Sequence, residues 1–334
     1  MNLRVLHYVG YPLDYAHGGH KEQIFMTLKG LDELGVQNEW LHNENQDLSK
    51  KYDIVHFWTL PSDTIIKSIK TKLNVKLIWS TMLPSAGKRK KITEYFLKIL
   101  IKSASNFNHP KIKILFPNYN VFDAIIVLNN LEKKHYENIW GVKENKIYVV
   151  PNGIDDIFFN SSEIKPLFFD GVLQIGAITP IKNSLEVAKC AKIAGTKIKF
   201  IGDFRLVDEK YKKAFLDEID NRYTYFEGPI QDKRELIKHM KGCKGIIVPS
   251  KWEAYPLVVA EALALKQRVM LIDLPNLRTI YGDSVFYCHQ PNHKKFIKEL
   301  QEFVNNNITK SIDYKPLRWK DVAKIILGIY TKIL

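Results

Sequence analysis

Long apolar runs and paired cysteines are both missing from this chain of 334 residues. No apolar run approaches the roughly eighteen residues that span a bilayer, and the first residues lead into a strand rather than a signal peptide. We therefore expect a cytoplasmic protein. The three cysteines are far apart and lack the spacing of metal ligands, which excludes a disulfide framework and a zinc site. They are expected to be reduced packing residues: Cys190, Cys243 and Cys288.

Negative charge is in short supply, since 36 Asp and Glu residues face 50 Lys and Arg residues and the net charge is +14. Such an excess attracts the phosphates of nucleic acids, anionic lipids and nucleotide ligands. The interleaved basic and aromatic residues of a nucleic-acid-binding fold are also lacking. We therefore expect no nucleic-acid partner.

A basic run leads into an apolar helical pattern in residues 88–102, and two interpretations stay open. In the first, the segment makes a peripheral contact with a membrane surface, which would bring the protein to the inner face of the membrane. In the second, the apolar side chains face the core and the lysines form a solvated rim. The second interpretation concerns Tyr95, Phe96, Ile99 and Leu100.

Strand-like and helical patterns alternate along the chain, which predicts the α/β fold class. A strand, a glycine-containing loop and a helix open the chain, as in the first unit of an open parallel sheet. The turn Pro151-Asn152-Gly153 follows one series of strands, and a second series begins after a polar stretch at 160–170. The predicted strands are 3–10, 38–41, 53–58, 76–79, 124–128, 146–150, 171–176, 197–203, 223–228, 245–248 and 267–272.

This length suits two domains of ordinary size. The two series of strands predict two doubly wound, Rossmann-like domains that face each other across a cleft. Such a cleft is the default place for a ligand.

Two carboxylates eight positions apart, Glu253 and Glu261, flank the start of an apolar helix predicted over 257–265. Glu253 belongs to the loop after strand 245–248, and Glu261 lies about two turns into the helix. N–H groups at a helix N-terminus suit a diphosphate, and the two glutamates would bind hydroxyl groups on either side. A solvated surface pair is the alternative, but the apolar residues between and after the charges disfavour it. The backbone at this terminus is that of Tyr255, Pro256, Leu257 and Val258.

This spacing resembles the E-x7-E signature of retaining glycosyltransferases of the GT-B, family-4 type, known as glycosyl transferases group 1. Residues 150–155 look like the interdomain signature of that family, and Gly202-Asp203 looks like its G-D-G turn. The resemblance implies an acceptor-side domain at 1–155, a nucleotide-sugar (donor) domain at 156–315, and a terminal helix at 316–334 that crosses back to the first domain. It is close to full length in the second domain and looser in the first.

The resemblance also implies roles for individual residues. Glu253 would contact the donor sugar, Glu261 the ribose hydroxyls, and Lys182 the diphosphate, so Glu253 and Lys182 are the catalytic candidates. Gly18 and Gly19 resemble a glycine pair that lies against the donor phosphates, with an ordinary tight turn as the alternative. The substrate-binding candidates are Gly18, Gly19, Asn152, Gly202, Arg205, Tyr255, Pro256, Leu257, Val258 and Glu261.

Three positions depart from the family pattern. Ala177 stands where an arginine commonly supplies a second phosphate cation, Met82 stands where a histidine is usual, and Lys266 replaces a glycine. Stabilisation of the leaving group would then depend on Lys182, the helix N-terminus and another basic residue such as Arg205.

The activity implied is transfer of a sugar from a UDP- or GDP-linked donor to a glycan or lipid-linked acceptor, in cell-surface polysaccharide or glycoconjugate synthesis. Transfer would occur with retention, and the leaving phosphate would serve as the base. No metal or other cofactor is expected, because no Asp-x-Asp motif follows a strand. Two alternatives stay open: a nucleotide-sugar epimerase or hydrolase of the same fold, and a non-enzymatic basic protein that binds polyanions.

Four histidines need separate interpretation. His7 and His56 lie in predicted strands and are expected to be satisfied core or cleft-lining residues. His17 and His20 flank the glycine pair, where they are candidates to reach the acceptor.

Overall fold

The computed structural model describes residues 3–11, 18–41, 50–83, 91–104, 117–306 and 310–334. The chain forms two compact units. The first unit comprises Met1–Gly153 and Leu317–Leu334, and the second comprises Ile154–Pro316. The sequence places the corresponding boundaries after residues 155 and 315.

The first unit contains a parallel sheet of six strands in the order β2-β1-β3-β4-β5-β6. Strands β3 and β5 are buried over their whole length, as is typical of parallel sheets covered on both faces. The strands are β1 (Arg4–Tyr8), β2 (Gln37–Trp40), β3 (Ile54–Phe57), β4 (Lys76–Ser80), β5 (Ala124–Val127) and β6 (Ile147–Val149). The helices are α1 (Gly19–Glu33), α2 (Asp63–Lys72), α3 (Lys91–Ala104) and α4 (Asn130–Asn138).

The second unit also contains six parallel strands, in the order β10-β9-β8-β11-β12-β13. Two strands lie outside its first strand, β8, whereas one strand lies outside β1 in the first unit. The strands are β8 (Val172–Ile175), β9 (Ile198–Ile201), β10 (Thr224–Gly228), β11 (Gly245–Val248), β12 (Val269–Ile272) and β13 (Phe286–Cys288). The helices are α5 (Asp156–Phe159), α6 (Ser184–Ala194), α7 (Glu209–Leu216), α8 (Lys233–Gly242), α9 (Leu257–Ala264), α10 (Pro275–Tyr281) and α11 (Phe296–Asn305).

Short elements complete the described fold. β7 (Gly153–Ile154) and β14 (Leu317–Arg318) form a two-stranded sheet. Three 3-10 turns occur at Tyr119–Val121, Glu144–Lys146 and Gly282–Ser284. All eleven predicted strands are present, and the prediction lacks the short strands β7, β13 and β14.

The terminal helix α12 (Trp319–Ile333) belongs to the first unit and packs against α1. A Cβ atom added to Gly30 of α1 would lie 2.7 Å from the Cβ atom of Ala323. The two helices therefore approach closely only because both residues are small. Tyr330 of the same helix is fully buried, and its hydroxyl group contacts the His56 Nδ1 atom at 2.6 Å.

His7 and His56 are core residues whose ring nitrogens are hydrogen-bonded, which confirms the prediction that they are satisfied core or cleft-lining residues. Both are fully buried. The Nε2 atom of His56 contacts the Ser80 hydroxyl at 2.7 Å, and the Nε2 atom of His7 contacts Asn38 Oδ1 at 2.7 Å. The Nδ1 atom of His7 accepts a hydrogen bond from the Trp58 indole at 3.2 Å. Every ring nitrogen of these two histidines thus has a partner within the unit.

Helix α3 exposes three large apolar side chains on one face. Phe96, Ile99 and Leu100 are 58%, 45% and 57% exposed. Their spacing of three and four residues places them on the same side of a helix. The interpretation in which these three face the core is therefore wrong. Tyr95 and the basic run 88–91 lie outside the part of the chain whose side chains are described. Within the described residues, no helix combines the length and apolar character needed to cross a membrane.

Candidate active site

The candidate site lies where the order of strands reverses in the second sheet. From β8 the chain moves outward to β9 and β10, and it then returns to the other side of β8 as β11. The segments that leave β8 and β11 therefore turn in opposite directions, which opens a crevice beyond the carboxyl ends of these strands. Lys182 belongs to the segment after β8, and Glu253 belongs to the segment after β11.

Lys182 and Glu253 are in direct contact across this switch point. The Lys182 Nζ atom donates a hydrogen bond to Glu253 Oε1 and forms an ion pair with it. The Glu253 side chain is only 10% exposed. A carboxylate this buried is costly unless it is paired, so the lysine compensates for its desolvation. The fold thus brings together the two residues that the sequence singles out as catalytic candidates.

Buried amides hold the backbone of both partners. Gln174 of β8 donates to the Lys182 carbonyl oxygen at 2.8 Å, and Asn276 of α10 donates to the Glu253 carbonyl oxygen at 2.7 Å. Asn183 donates to the Pro249 carbonyl oxygen at 2.6 Å and so ties the segment after β8 to the end of β11. Sequence reasoning missed all three residues. Only Asn183 could have been found from the sequence, because it directly follows Lys182. In the structure it adopts the left-handed backbone conformation (φ 55°) that asparagine tolerates.

Three buried polar atoms beside this pair have no hydrogen-bond partner within the described chain. They are Gln174 Oε1, Ser250 Oγ and Asn276 Oδ1, and their residues are at most 5% exposed. Buried polar groups are normally bonded, so each such atom calls for an explanation. They are polar side-chain atoms near the switch point that the described part of the protein leaves unbonded.

Helix α9 begins directly after the loop that carries Glu253, with Pro256 as the residue before its first turn. No side chain caps this terminus, and its first turn contains no acidic residue. The first N–H groups and the positive end of the helix dipole are therefore available to an anion. Leu257 and Val258, the first two helical residues, are half-buried.

Tyr255 and Pro256 support this loop from inside the unit. Tyr255 is buried, and its hydroxyl group hydrogen-bonds to that of Tyr314. The Pro256 carbonyl oxygen accepts a hydrogen bond from the Tyr281 hydroxyl at 3.2 Å. Burial raises the pKa of Tyr255 well above its ordinary value, so its phenol stays neutral. Its side chain is thus engaged with the interior, and contact with a ligand would have to use its backbone.

Glu261, the second carboxylate of the motif, lies in the second turn of α9 and is half-buried. The alanines on either side of it in sequence are buried: Ala260 and Ala262. Glu261 is therefore not a fully solvated surface charge.

Glycines with positive φ end three neighbouring strands: Gly176 after β8 (135°), Gly202 after β9 (155°) and Gly228 at the end of β10 (77°). A Cβ atom at Gly202 would lie 1.9 Å from the Gly176 carbonyl oxygen. Gly202 is thus required by packing between strand ends. Arg205, in the loop beyond it, donates to Asp203 Oδ1 at 2.7 Å and is partly exposed.

The remaining candidates belong to the first unit. Asn152 is buried. Gly18 has a φ of 107° and precedes α1, of which Gly19 is the first residue. His20 contacts the Tyr11 hydroxyl at 2.6 Å, and burial lowers the pKa of His20. His17 lies outside the described residues.

Polar contacts also occur at the switch point of the first sheet, between β1 and β3. The Gly10 N–H group donates to Thr59 Oγ1 at 2.7 Å. Tyr11 and Thr59 were not identified from the sequence, because neither belongs to a recognisable motif.

The described part of the chain contains no candidate metal site. No group of three or more His, Cys, Asp or Glu side chains is arranged there to hold an ion.

Comparison with known proteins gives two family matches. The model for glycosyl transferases group 1 matches residues 171–319, and the model for glycosyltransferase family 4 matches residues 28–157. Together the two matches cover most of the chain. An uncharacterized glycosyltransferase of Methanocaldococcus jannaschii is 25% identical over 193 residues, which are 55% of this chain and 50% of that protein. The match thus spans about half the length of this curated relative.

Several solved structures are similar in fold to this protein over nearly its whole length. HepE of Anabaena, in complex with UDP and glucose, has a TM-score of 0.62 at 13% identity, with 99% of each chain covered. Sucrose-phosphate synthase of Thermosynechococcus elongatus has a TM-score of 0.67 at 11% identity, with 100% of this chain and 99% of that chain covered. Likeness at such low identity establishes the fold. It confirms the predicted α/β class and the GT-B architecture of two Rossmann-like domains.

Proposed function

Because the chain belongs to the group 1, family-4-type glycosyltransferases, we propose that it transfers a sugar from a nucleoside diphosphate sugar to a glycan or lipid-linked acceptor. We propose UDP or GDP as the carrier, retention at the anomeric carbon, and a role in cell-surface polysaccharide or glycoconjugate synthesis. The complex of HepE with UDP and glucose supports a donor of the UDP type.

The observation that carries this proposal is the contact between Lys182 and Glu253 at the switch point, next to the uncapped start of α9. Cleavage of a sugar–phosphate bond builds negative charge on the diphosphate and positive character on the sugar ring. A lysine and helix N–H groups suit the first charge, and a buried carboxylate suits the second. All three lie on segments that the sheet fixes in place.

We assign the diphosphate to Lys182 and to the backbone N–H groups of Leu257 and Val258, the donor sugar to Glu253, and the ribose hydroxyls to Glu261. Arg205 would supply a second cation if it exchanges its contact with Asp203 for a phosphate. Asn152, Gly18 and Gly19 are assigned to substrate binding from the first unit, and Gly202 shapes the floor of the donor site. The leaving phosphate acts as the base that activates the acceptor.

We further propose that transfer requires no metal ion. A lysine and a helix N-terminus together offer the positive charge that a divalent cation supplies in other transferases. Addition of a metal chelator to the purified enzyme should leave the rate of transfer unchanged, and loss of activity that a divalent cation restores would contradict the proposal.

A lipid-linked acceptor would be met at a membrane surface, and the exposed face of α3 supports such a contact. Phe96, Ile99 and Leu100 present apolar area, and Lys98, which is also exposed, lies on the opposite side of the helix. Apolar insertion and attraction to anionic lipids act together in peripheral binding. Ile99→Ser with Leu100→Ser should reduce co-sedimentation with anionic vesicles, with Ile193→Ser, an exposed residue of α6, as the control. Equal sedimentation of both variants would argue against the contact.

The proposed activity is tested with a panel of UDP, GDP and ADP and their sugars in a thermal-shift assay. A ligand that binds only the folded state raises the melting temperature. We expect one nucleotide to respond and its sugar to be consumed only when an acceptor is present. Release of free sugar without an acceptor would instead indicate an epimerase or hydrolase, and no response to any nucleotide would reject the proposal.

A further inference from the structure

A second cavity, of 660 Å³, lies in the second unit at the other end of α9. We call it the rear pocket. Its walls are the last turn of α9, the turn at 266–268, the first residues of β12 and β13, and the segment 310–316. Because both strands begin here, the rear pocket lies at the amino edge of the sheet, whereas Lys182 and Glu253 lie beyond the carboxyl edge. Its volume is in the range that binds small organic molecules.

Positive charge dominates the lining of the rear pocket. Of the described residues that line it, none is an aspartate or glutamate and four are cationic: Lys266, Arg268, Lys310 and Lys315. Among the described residues, no carboxylate lies within ion-pair distance of Lys266, Lys310 or Lys315. Like charges around one cavity repel each other, so their convergence favours an anionic occupant.

Lys266 occupies a position where the backbone favours glycine. It follows the last turn of α9 with a φ of 58°, and its N–H group donates to the Leu263 carbonyl oxygen at 3.0 Å. Glycine is the usual residue in this left-handed position after a helix, because a side chain there is strained. The chain thus tolerates strain at a place where the lysine side chain lines the rear pocket.

Aromatic rings flank two of the cations. The Arg268 guanidinium lies 5.4 Å from the centre of the Phe286 ring and 4.6 Å from that of Phe303. The Lys310 Nζ atom lies 5.2 Å from the centre of the Phe286 ring. Such contacts orient a cation without neutralising it. The pocket also has apolar walls, formed by Leu263 and Ile312 among others, which suit an apolar group.

We propose that the rear pocket binds an organic phosphate ester, with the phosphate on Lys266, Lys310 and Lys315 and the apolar group against Phe286 and Ile312. The ester is either a soluble metabolite or the headgroup of an anionic phospholipid, since both present the same chemistry. The site is distinct from the proposed donor site, and it does not depend on the proposed transferase activity.

The two sites share α9 and one hydrogen bond. Tyr314 lines the rear pocket, and its hydroxyl group contacts Tyr255 in the loop between Glu253 and α9. The pocket and the switch point nevertheless lie at opposite edges of the sheet. The ester and a nucleotide should therefore bind at the same time.

The test measures binding of 1-naphthyl phosphate to the full chain by isothermal titration calorimetry, and of vesicles that contain phosphatidic acid by co-sedimentation. The variant combines Lys266→Gly, Lys310→Gln and Lys315→Gln. The first change also relieves backbone strain, so this protein should fold at least as well at that position. Lys294→Gln, an exposed lysine of the same unit that does not line the pocket, is the matched control.

We expect the triple variant to bind one of the two probes at least about tenfold more weakly than the wild type and the control, because three charge-assisted contacts are lost. The probe that responds identifies the source of the ester. Lys182→Met should leave this binding unchanged, which separates it from the donor site. Absence of binding to both probes at about 10 mM phosphate, or equal affinity of the triple variant, would overturn the proposal.

Discussion

Both sheets have six parallel strands, yet the polar side chains near their switch points differ in what they contact. In the first unit, His7 of β1 and His56 of β3 have both ring nitrogens bonded to neutral groups of the same unit, and both are fully buried. In the second unit, Lys182 and Glu253 form a charged pair just beyond the strands. Two six-stranded parallel sheets thus carry a neutral structural network in one unit and a charged candidate site in the other.

The comparison indicates that the fold alone does not determine where a functional site lies. A crevice at the switch point is common to both sheets, but charge, polar atoms without a protein partner and an uncapped helix start coincide only in the second unit among the described residues. Four substitutions test this contrast.

The largest effect is expected from Lys182→Met. Loss of a cation that stabilises the leaving diphosphate should lower the rate of sugar transfer about 100- to 1000-fold, as removal of one preorganised transition-state donor does elsewhere. Lys294→Gln is the control with the same loss of charge. A transfer rate within about threefold of the wild type would remove Lys182 from the mechanism.

Two glycines that follow strands, one in each unit, should differ in their tolerance of alanine. Gly202→Ala places a Cβ atom 1.9 Å from a backbone oxygen, and its φ is positive, so we expect a loss of about 4 kcal/mol in the free energy of unfolding. Gly10→Ala meets only the Thr59 hydroxyl at 3.0 Å and should cost less than about 1 kcal/mol. Urea unfolding of both variants measures the difference, and equal midpoints would contradict it.

The buried histidines should make the first unit sensitive to acid. Burial lowers the pKa of His7 to about 4, against 6.5 for a free histidine, and the Nδ1 atom must stay unprotonated to accept the Trp58 hydrogen bond. A lowered folded-state pKa contributes stability above pH 6.5 that is lost as the pH falls towards 4, here up to about 3 kcal/mol.

Urea unfolding between pH 7 and pH 4.5 measures this loss, which His7→Gln should reduce. His293→Gln changes an exposed histidine of the second unit and keeps the His7 network, so it should retain the acid sensitivity of the first unit. An unchanged pH dependence in His7→Gln would mean that another group causes it.

The smallest effect is expected from Glu261→Ala. Loss of one carboxylate that accepts from ribose hydroxyls should weaken nucleotide binding about tenfold. Glu209→Ala, in the first turn of α7, removes an exposed carboxylate and should have no effect. Identical nucleotide affinities of the two variants would show that Glu261 does not bind the ribose.

Local patterns predict the strands and the helix after Glu253, because buried parallel strands and apolar helices leave clear runs of residues. They also place Lys182 and Glu253 at strand ends. The supports of this pair escape prediction. The contact of Gln174 spans 8 positions in sequence, that of Asn276 spans 23, and that between Tyr255 and Tyr314 spans 59, and no local pattern reveals such pairs.

The exposed face of α3 and the cluster of cations in the rear pocket could not be predicted from the sequence for a related reason. An apolar helix face predicts burial unless its neighbours are known, so Phe96 and Leu100 have two equally good interpretations from sequence. Lys266 and Lys310 come from separate segments, and only the fold brings them to one cavity.

The central claim is that Lys182 and the start of α9 bind the diphosphate of a nucleotide sugar. Isothermal titration of the responding nucleoside diphosphate and its monophosphate, into the wild type and Lys182→Met, tests it most directly. The account predicts that the wild type prefers the diphosphate by about tenfold or more and that Lys182→Met loses this preference while its affinity for the monophosphate is retained. An equal preference in both proteins would contradict the claim.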